Sequence, residues 1–273
     1  MSAVLVFTDL DGTLLDGAYS YAPAVPALRA LERSGIPLVL VSSKTKTEIE
    51  RLRVRMNHDG PFVVENGSAL LIPRGWPDRR MGDTTSRSGY QVTVFGTPYP
   101  AIRAALKDMS EALGVTLKGF GDMTVEEIVR LSDLSPDEAS LARAREYDEP
   151  FYVANARLTL TALQKEAEAR GLKCTKGGAF YHLLGPTDKG KACRHLIEHY
   201  RRHAQPEAVK TIGLGDSLND LPMLAEVDLP VLVQRPDGSY APEICLPALR
   251  RAGGIGPVGW NAAVLELLDL RPL

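Results

Sequence analysis

The sequence predicts an α/β fold: a doubly wound, Rossmann-like parallel sheet with an α+β domain inserted into it. Two observations support this prediction. Short apolar runs alternate with helical patterns at both ends of the 273-residue chain, in the order expected of βαβ units. A polar stretch rich in Gly, Ser and Thr, residues 82–89, interrupts that order. We therefore expect a core of residues 1–83 and 185–273 and an inserted cap of residues 84–184.

The elements before the polar stretch follow one another as strand and helix. Apolar runs and amphipathic periodicity predict strand, helix, strand, helix and strand in turn, at residues 3–8, 23–34, 36–41, 45–56 and 61–65. This order places parallel strands side by side with helices packed outside them. The first part of the core is therefore predicted to be doubly wound.

The elements after the polar stretch lose this regular alternation and later regain it. In the insert, the patterns predict strands at 90–95, 115–120, 150–154, 172–176 and 179–184, and helices at 99–113, 124–131 and 136–145. The core order then resumes, with helices at 188–203, 219–225 and 259–269 and strands at 209–214 and 229–233.

Composition argues against several classes of protein. The 44% of hydrophobic residues allows a proper core, and the formal charge of −2 offers no general attraction to nucleic acid or to anionic lipid. The cysteines, Cys174, Cys193 and Cys245, are odd in number and form no Cys-x-x-Cys pair, which argues against a disulfide framework or a structural zinc site. No apolar run reaches membrane-spanning length, so we expect a cytoplasmic protein that acts on a small molecule.

Two carboxylates follow the first predicted strand, in Asp9-Leu10-Asp11-Gly12-Thr13. Two acids at the end of a buried strand repel each other and lose hydration, so a bound cation and an anionic substrate would explain them. Asp9 is then a candidate nucleophile and Asp11 a candidate proton-transfer group. Because Asp, Gly and Thr also favour turns, an acidic turn that closes the strand is the alternative.

This segment resembles the first motif of the haloacid dehalogenase superfamily, whose phosphatases pass through an aspartyl-phosphate. Two later segments extend the resemblance. Asp188-Lys189-Gly190-Lys191 resembles the lysine motif, and Lys189 would offset the charge between Asp9 and a phosphate, with Lys191 as the competing choice. Gly215-Asp216-Ser217-Leu218-Asn219-Asp220 resembles the fourth motif, although it could also be a helix cap.

The resemblance implies a Mg²⁺ site, because Mg²⁺ prefers oxygen ligands. Asp9, Asp216 and the backbone carbonyl of Asp11 would bind the ion directly, and Asn219 and Asp220 would bind through water or orient the site.

Ser42 follows the second strand, at the edge where α/β folds place their ligands, and is a candidate donor to the phosphate. Ser42 or the adjacent Ser43 could instead cap the next helix.

Pro61-Phe62-Val63-Val64-Glu65-Asn66-Gly67 resembles a segment of the Cof-type capped phosphatases, which implies a cap of the C2B type. Residues 41–45, 145–151 and 177–182 resemble, more narrowly, the mannosyl-3-phosphoglycerate phosphatases. This resemblance implies a phosphorylated sugar-glycerate substrate. The alternatives are a phosphatase for glucosyl-3-phosphoglycerate, sucrose phosphate or a hexose phosphate, and a ligand-binding module that has lost catalysis.

Recognition of the sugar and the carboxylate is expected at the cap and its edges. The candidate substrate-binding residues are Ser43, Glu65, Asn66, Arg143, Arg145, Thr175, Lys176 and His182. Ala179 stands where members of the family often have a basic residue, so a contact at that point cannot be transferred. Each cap candidate has an alternative role in strand packing or at the surface.

Three histidines on the predicted helix 188–203 offer an alternative metal site. His195, His199 and His203 recur at every fourth position and would share one face. No acid of an H-E-x-x-H pattern accompanies them, and Tyr200-Arg201-Arg202 indicates a largely exposed helix, so we assign no zinc. Trp76 and Trp260 carry no motif and are predicted to be packing residues.

Overall fold

The computed structural model describes residues 3–76, 85–87, 89–132, 134–177, 179–203 and 209–269. The first part of the core contains the strands β1 (Ala3–Thr8), β2 (Leu38–Val41), β3 (Phe62–Val64), β4 (Ala69–Pro73), β5 (Thr85–Arg87) and β6 (Tyr90–Val94). Its helices are α1 (Val25–Arg33) and α2 (Lys46–Met56).

The remaining elements form the insert and the second part of the core. The insert contains α3 (Tyr99–Leu113), β7 (Leu117–Gly119), α4 (Val125–Leu131), α5 (Pro136–Ala142), β8 (Asp148–Val153), α6 (Leu160–Glu168), β9 (Lys173–Gly177) and β10 (Phe180–Leu184). The core resumes with α7 (Lys189–His203), β11 (Val209–Gly215), α8 (Leu221–Glu226), β12 (Leu229–Gln234), β13 (Arg250–Ile255) and α9 (Pro257–Leu267).

The core is one nine-stranded sheet in the order β13-β12-β11-β1-β2-β3-β4-β6-β5. The strands from β13 to β3 pair in parallel, and β4, β6 and β5 add an antiparallel edge. Alternate residues of β1 face opposite sides: Val6 packs in a cluster with α1 and α9, whereas Leu5 and Phe7 pack with α7 and α8. Helices therefore cover both faces, which confirms the doubly wound α/β fold.

The insert has a sheet and two apolar clusters of its own. Its four strands are antiparallel in the order β7-β8-β10-β9. Helices α3 and α6 pack on one face around Phe151 and Leu183, and α4 and α5 pack on the other around Phe120 and Phe180. The insert therefore has its own hydrophobic core in addition to those on the two faces of the large sheet.

The insert begins later in the chain than residue 84. The predicted boundary assigns residues 84–94 to the cap, but β6 pairs with β4 and β5 pairs with β6, so both strands extend the core sheet. Residues 77–84, where that boundary lies, are outside the described residues. Gly185 passes so close to Thr97 that a Cβ on Gly185 would lie 2.6 Å from the Thr97 backbone nitrogen. We propose that the chain enters and leaves the cap at this crossing, and that the cap spans residues 97–184.

None of the helices in the described ranges is long and apolar enough to span a lipid bilayer.

Candidate active site

The predicted catalytic residues meet at the carboxyl ends of four neighbouring strands. Asp9 follows β1, Ser42 follows β2, the Glu65–Gly67 turn follows β3, and Asp216 follows β11. Because β1 lies between β11 and β2, the residues after these strands converge on the middle of one sheet edge. Lys189, the first residue of α7, reaches the same place.

Lys189 is a buried cation between two buried carboxylates. Its Nζ lies 2.5 Å from Oδ1 of Asp9 and 2.6 Å from Oδ1 of Asp220. Burial alone would lower the pKa of Lys189, but Asp220 and Asp9 raise it above the ordinary value. The ammonium is therefore held in its charged form beside the candidate nucleophile.

Negative charge at this site exceeds positive charge. One carboxylate oxygen each of Asp9, Asp216 and Asp220 lies within 4.8 Å of the other two. Burial, followed by the charge of Asp220, raises the pKa of Asp9 well above its ordinary value despite Lys189, and raises that of Asp216 to about 6. Three carboxylates against one ammonium leave about two uncompensated charges when all are ionised, which suits a divalent cation bound by oxygen.

The glycine and the threonine of the first motif have direct roles in this geometry. Gly12 has a φ of +81°, and a Cβ there would lie 2.9 Å from Oδ2 of Asp216, so a side chain would fill the space between the two acidic loops. Thr13 donates a hydrogen bond from Oγ1 to Oδ1 of Asp216, at 3.1 Å. Residues 12 and 13 therefore hold the loop after β1 against the loop after β11.

Asp220 and Asn219 differ in their surroundings. Oδ2 of Asp220 accepts hydrogen bonds from the backbone N–H of Asp216 at 3.1 Å and of Ser217 at 3.0 Å, while its Oδ1 binds Lys189. Asn219 is exposed and accepts a hydrogen bond from the Ser217 hydroxyl at 2.7 Å. Asp220 therefore shapes the turn and fixes Lys189 in addition to its place in the acidic cluster.

Asp11 lies outside the buried cluster. Its side chain is 44% exposed, against 7% for Asp9. Nζ of Lys44 lies 3.0 Å from Oδ2 of Asp11. Lys44 is not among the residues predicted for the site, although its position two residues after Ser42 indicates that it lies at the same sheet edge. The two acids of the first motif therefore have different environments, as separate chemical roles require.

Ser42 is buried, and its Oγ accepts a hydrogen bond from the N–H of Lys44 at 3.2 Å. The alternative in which Ser42 or Ser43 caps the next helix is wrong. Thr45 is the N-cap of α2 and forms a capping box with Glu48. This arrangement leaves the hydroxyl proton of Ser42 for another acceptor.

Glu65 lies at the junction of core and cap. The prediction of a substrate ligand does not fit its surroundings, because Glu65 is completely buried and accepts hydrogen bonds from the backbone N–H of Glu146 at 3.0 Å and of Tyr147 at 2.8 Å. Burial raises its pKa to about 8, against the opposing charge of Arg145. Glu65 therefore connects the core to a cap segment instead of facing the cleft.

The next two residues of this turn are also fixed by neighbouring segments. Asn66 has a φ of +58° and donates a hydrogen bond from Nδ2 to Asp148 at 3.1 Å. Gly67 has a φ of +91°, and a Cβ there would lie 1.9 Å from the carbonyl oxygen of Asp188, directly before Lys189. Only glycine therefore allows the turn to approach α7 this closely.

Asp148 and His182 form a polar pair in the cap, beside Asn66. Nδ1 of His182 lies 3.0 Å from Oδ2 of Asp148. Burial alone would raise the pKa of Asp148, but His182, Arg145 and Asn66 lower it, so the carboxylate stays charged. The structure thus brings His182 and Asn66 together through Asp148, which sequence reasoning missed.

The other cap candidates lie in different places. Arg145 is buried and donates from Nη1 to the carbonyl of Ser43 at 2.8 Å, so both residues belong to the contact between core and cap. Thr175 pairs directly opposite His182 and shares its face of the cap sheet. Lys176 lies on the other face, with its Nζ 5.6 Å from the ring centre of Tyr181, and Arg143 is exposed at the end of α5.

Comparison with known proteins relates this geometry to a family. A family model of haloacid dehalogenase-like hydrolases matches residues 6–76. A glucosyl-3-phosphoglycerate/mannosyl-3-phosphoglycerate phosphatase from Methanococcoides burtonii is 44% identical, over 97% of both chains. A mannosyl-3-phosphoglycerate phosphatase from Pyrococcus furiosus is 37% identical, over 84% of this chain and 90% of the relative. The chain belongs to the mannosyl-3-phosphoglycerate phosphatase family. It is an enzyme, a phosphoric monoester hydrolase.

A solved structure supports the fold of this family member. A protein from Thermoplasma acidophilum superposes with a TM-score of 0.68 at 19% identity, covering 99% of this chain and all of that chain. At this identity the likeness concerns the fold alone. Because the Methanococcoides relative covers 97% of the chain, the family assignment extends to the cap and to the motifs around Lys189 and Asp216.

The histidines of α7 have aromatic neighbours in this phosphatase. The ring of His195 lies 5.4 Å from that of Phe95, and the ring of His199 lies 6.4 Å from that of Tyr200. The side chain of His203 lies outside the described residues. Trp260 is completely buried, as expected of a packing residue, and its Nε1 also donates to Oγ1 of Thr8 at 2.9 Å.

Proposed function

We propose that this protein is a Mg²⁺-dependent phosphatase that converts mannosyl-3-phosphoglycerate to mannosylglycerate and phosphate. The observation that carries the proposal is the placement of Asp9 against Lys189 and Asp216, with Asp11 in a more exposed position beside it. The names of the relatives support the sugar-glycerate substrate. The formal charge of −2 is consistent with a small-molecule partner, and we expect the enzyme to act in the cytoplasm.

The acidic cluster suits a magnesium ion. Asp9, Asp216 and the backbone carbonyl of Asp11 would hold it, since Asp220 already binds Lys189 and two backbone N–H groups. When bound, the ion would offset the charge of the carboxylates and polarise the phosphoryl group.

Asp9 is the proposed nucleophile. One of its carboxylate oxygens forms a bond to phosphorus, and the bond between phosphorus and the ester oxygen breaks, which leaves an aspartyl-phosphate on Asp9. Lys189 stays charged 2.5 Å from Asp9 and opposes repulsion between this carboxylate and the phosphate. The hydroxyl of Ser42 donates to a phosphate oxygen.

Asp11 is the proposed acid and base. It gives its proton to the departing ester oxygen, which leaves as the hydroxyl of mannosylglycerate. The resulting carboxylate then takes a proton from the water that attacks the aspartyl-phosphate, so Asp9 and Asp11 both return to their starting forms. The greater exposure of Asp11 supports this role, because both the leaving group and the water must reach it.

Glucosyl-3-phosphoglycerate is a second candidate substrate, because the Methanococcoides relative is named for both compounds. The retention of Asp9, Asp11, Lys189 and Asp216 argues against a ligand-binding module without catalysis.

A phosphate-release screen tests the proposed function. The substrates are mannosyl-3-phosphoglycerate, glucosyl-3-phosphoglycerate, sucrose phosphate, 3-phosphoglycerate and mannose 6-phosphate, each with Mg²⁺ and with a chelator. We expect the largest kcat/KM with a sugar-glycerate and no activity with the chelator. A preference for sucrose phosphate or mannose 6-phosphate would reject the proposed sugar-glycerate substrate. Unchanged activity with the chelator would reject the proposed Mg²⁺ dependence, and no hydrolysis of any ester would favour the ligand-binding module.

A further inference from the structure

A cavity of about 310 Å³ adjoins the site on the side of Asp11. Its core wall is formed by the loop that contains Leu15 and Tyr19 and by one side of α2, and its opposite wall is formed by the cap helix α5. Lys44, which pairs with Asp11, lines its inner end. Asp11 is the proposed proton donor to the leaving oxygen, so the rest of the leaving group must extend away from the phosphate beside Asp11. This cavity lies next to Asp11, because its ion-pair partner Lys44 lines it.

The lining suits a neutral ring with many hydroxyl groups better than a second anion. Acids and bases line the cavity in equal number: Glu48, Asp137 and Glu138 against Lys44, Arg51 and Arg55. Hydroxyl groups donate to carboxylates and accept from ammonium and guanidinium groups, so a sugar can use both kinds of partner. A carboxylate at the inner end would meet Asp11 and Glu48 on either side of Lys44.

Tyr19 lines this cavity from a backbone conformation that is rare for its type. Its φ is +55°, a region that disfavours bulky side chains. Oδ1 of Asp16 accepts from the N–H groups of Ala18 and Ser20, both at 2.9 Å, and thereby fixes the turn on both sides of Tyr19. The ring centre of Tyr19 lies 4.5 Å from Nζ of Lys44. The strained turn thus places the ring at the inner end of the cavity.

The cap supplies an acceptor on the opposite wall. Oε2 of Glu138 accepts hydrogen bonds from the N–H and the hydroxyl of Ser135 in the capping box of α5. The other carboxylate oxygen, Oε1, takes no part in the capping box. Arg51 and Asp137 link the two walls across a distance of 3.7 Å. The core and the cap therefore both contribute to the cavity.

We propose that this cavity is the sugar subsite, with the hexosyl ring of the leaving group against Tyr19 and one of its hydroxyls bound by Glu138. The inference rests on the proposed function and deepens it, because it moves sugar recognition from the cap strands to α2, α5 and the Tyr19 turn.

Matched substrates test this subsite. Mannosyl-3-phosphoglycerate and 3-phosphoglycerate differ only in the sugar, so the ratio of their kcat/KM values isolates its contribution. We expect Tyr19→Asn, which tolerates a positive φ, to lower this ratio about tenfold, and Tyr19→Phe to preserve it. Glu138→Gln keeps the capping box and should lower the ratio about threefold, the size of one modest hydrogen bond. Glu127→Gln, in the equivalent box of α4, is the control and should not change the ratio.

Three outcomes would overturn the proposal. An unchanged ratio in both Tyr19→Asn and Glu138→Gln would mean that the sugar lies elsewhere. An equal loss of kcat/KM with both substrates would mean that Tyr19 acts on the reacting centre or stabilises the fold. The melting temperature of the variant distinguishes these two roles. If the wild type hydrolyses 3-phosphoglycerate but neither sugar-glycerate, the proposed function fails and the subsite fails with it. Glu138→Gln remains informative if Tyr19→Asn does not fold.

Discussion

The catalytic centre and the contact between core and cap are built from different kinds of bond. In the centre, buried charged side chains meet one another, as Lys189 meets Asp9 and Asp220. At the contact, side chains of one part form hydrogen bonds with the backbone of the other. Thr45 donates to the carbonyl of Leu141, and Arg145 donates to the carbonyl of Ser43. Glu65 accepts from the N–H groups of residues 146 and 147.

This difference separates chemistry from selection. The charged centre is assembled entirely by the core, so its geometry does not depend on the identity of the leaving group. The contact with the cap pairs the side chains of Arg145 and Glu65 with backbone groups of the other part, and adds the ion pair between Arg51 and Asp137. Changes in the centre should therefore affect every substrate, whereas changes at the contact should affect mainly those with a large leaving group.

The largest expected effect is that of Asp9→Asn. The amide is a poor nucleophile, so kcat should fall at least about 10⁴-fold with every phosphate ester. The fold should persist, because burial and neighbouring acids already disfavour the charged form of Asp9. Phosphate release and thermal melting check this, and near-normal kcat would remove Asp9 as the nucleophile.

Removal of the buried cation should affect both rate and stability. In Lys189→Met, Asp9 and Asp220 lose their common partner, so we expect kcat to fall about 10²- to 10³-fold and the free energy of unfolding to fall by about 3–5 kcal/mol. Urea unfolding and steady-state kinetics measure the two effects. Lys191→Met is the matched control, since Lys191 is exposed on the same helix turn. Equal effects of the two substitutions would contradict the account.

Replacement of Glu65 tests the contact with the cap. Because glutamine resembles the protonated acid, the stronger test is Glu65→Ala, which removes both acceptor oxygens from the N–H groups of residues 146 and 147. We expect this change to raise KM for a sugar-glycerate about tenfold with a smaller change in kcat. With 3-phosphoglycerate the rise should be smaller. The same rise in KM for both substrates would show that Glu65 acts on the centre and not on the cap.

The same residue should contribute a pH dependence to stability. Its pKa is raised from 4.5 to about 8 in the folded protein, so folding favours the protonated form. The contribution of Glu65 is therefore complete below about pH 4.5 and is lost as the pH rises through about 8. Urea unfolding between pH 5 and 8.5 should show a steeper fall for the wild type than for Glu65→Gln. If the free energy of unfolding has the same pH dependence in both proteins, Glu65 is not the source of that dependence.

The smallest expected effect is that of Trp260→Phe. Phenylalanine fills most of the same space but cannot donate to Oγ1 of Thr8, which itself donates to the carbonyl of Asp9 at 2.7 Å. We expect a loss of about 1 kcal/mol in the free energy of unfolding and little change in KM. A large rise in KM would show that substrate binding depends on this support.

The positions of the core residues could be predicted because a parallel sheet brings its carboxyl ends to one edge. Asp9, Ser42 and Asp216 each follow a strand of that sheet, and Lys189 begins the helix next to them. Their meeting was predictable from short motifs, without knowledge of contacts across the chain.

The interface could not be predicted in the same way. Glu65 binds backbone groups about 80 residues further along the chain, and the motif that contains Asp148, residues 145–151, does not indicate that its side chain binds Asn66 and His182. The orientation of Lys176 depends on the register of β9 with β10, which its sequence does not specify.

Four elements were not predicted, for different reasons. Strand β5 lies within the polar stretch of residues 82–89, whose composition predicts a linker. Strand β4 begins directly after the turn at Glu65–Gly67 and Ser68, so the turn signal conceals its start. Strand β13 contains Gly253 and Gly254, which lower strand propensity. Helix α6 was predictable, because Thr159 is an N-cap and Leu163 and Ala167 repeat at helical spacing.

The central claim is that Asp9 carries the phosphoryl group during turnover. Acid quenching of the Asp11→Asn variant with p-nitrophenyl phosphate and Mg²⁺, followed by peptide mass spectrometry, tests it most directly. This leaving group needs no proton from residue 11, whereas removal of the intermediate needs the base that the variant lacks. We expect one phosphoryl group on the peptide that contains Asp9, and none when Asp9 is also replaced by Asn. A phosphoryl group on another residue, or phosphate release without any phosphorylated enzyme, would contradict it.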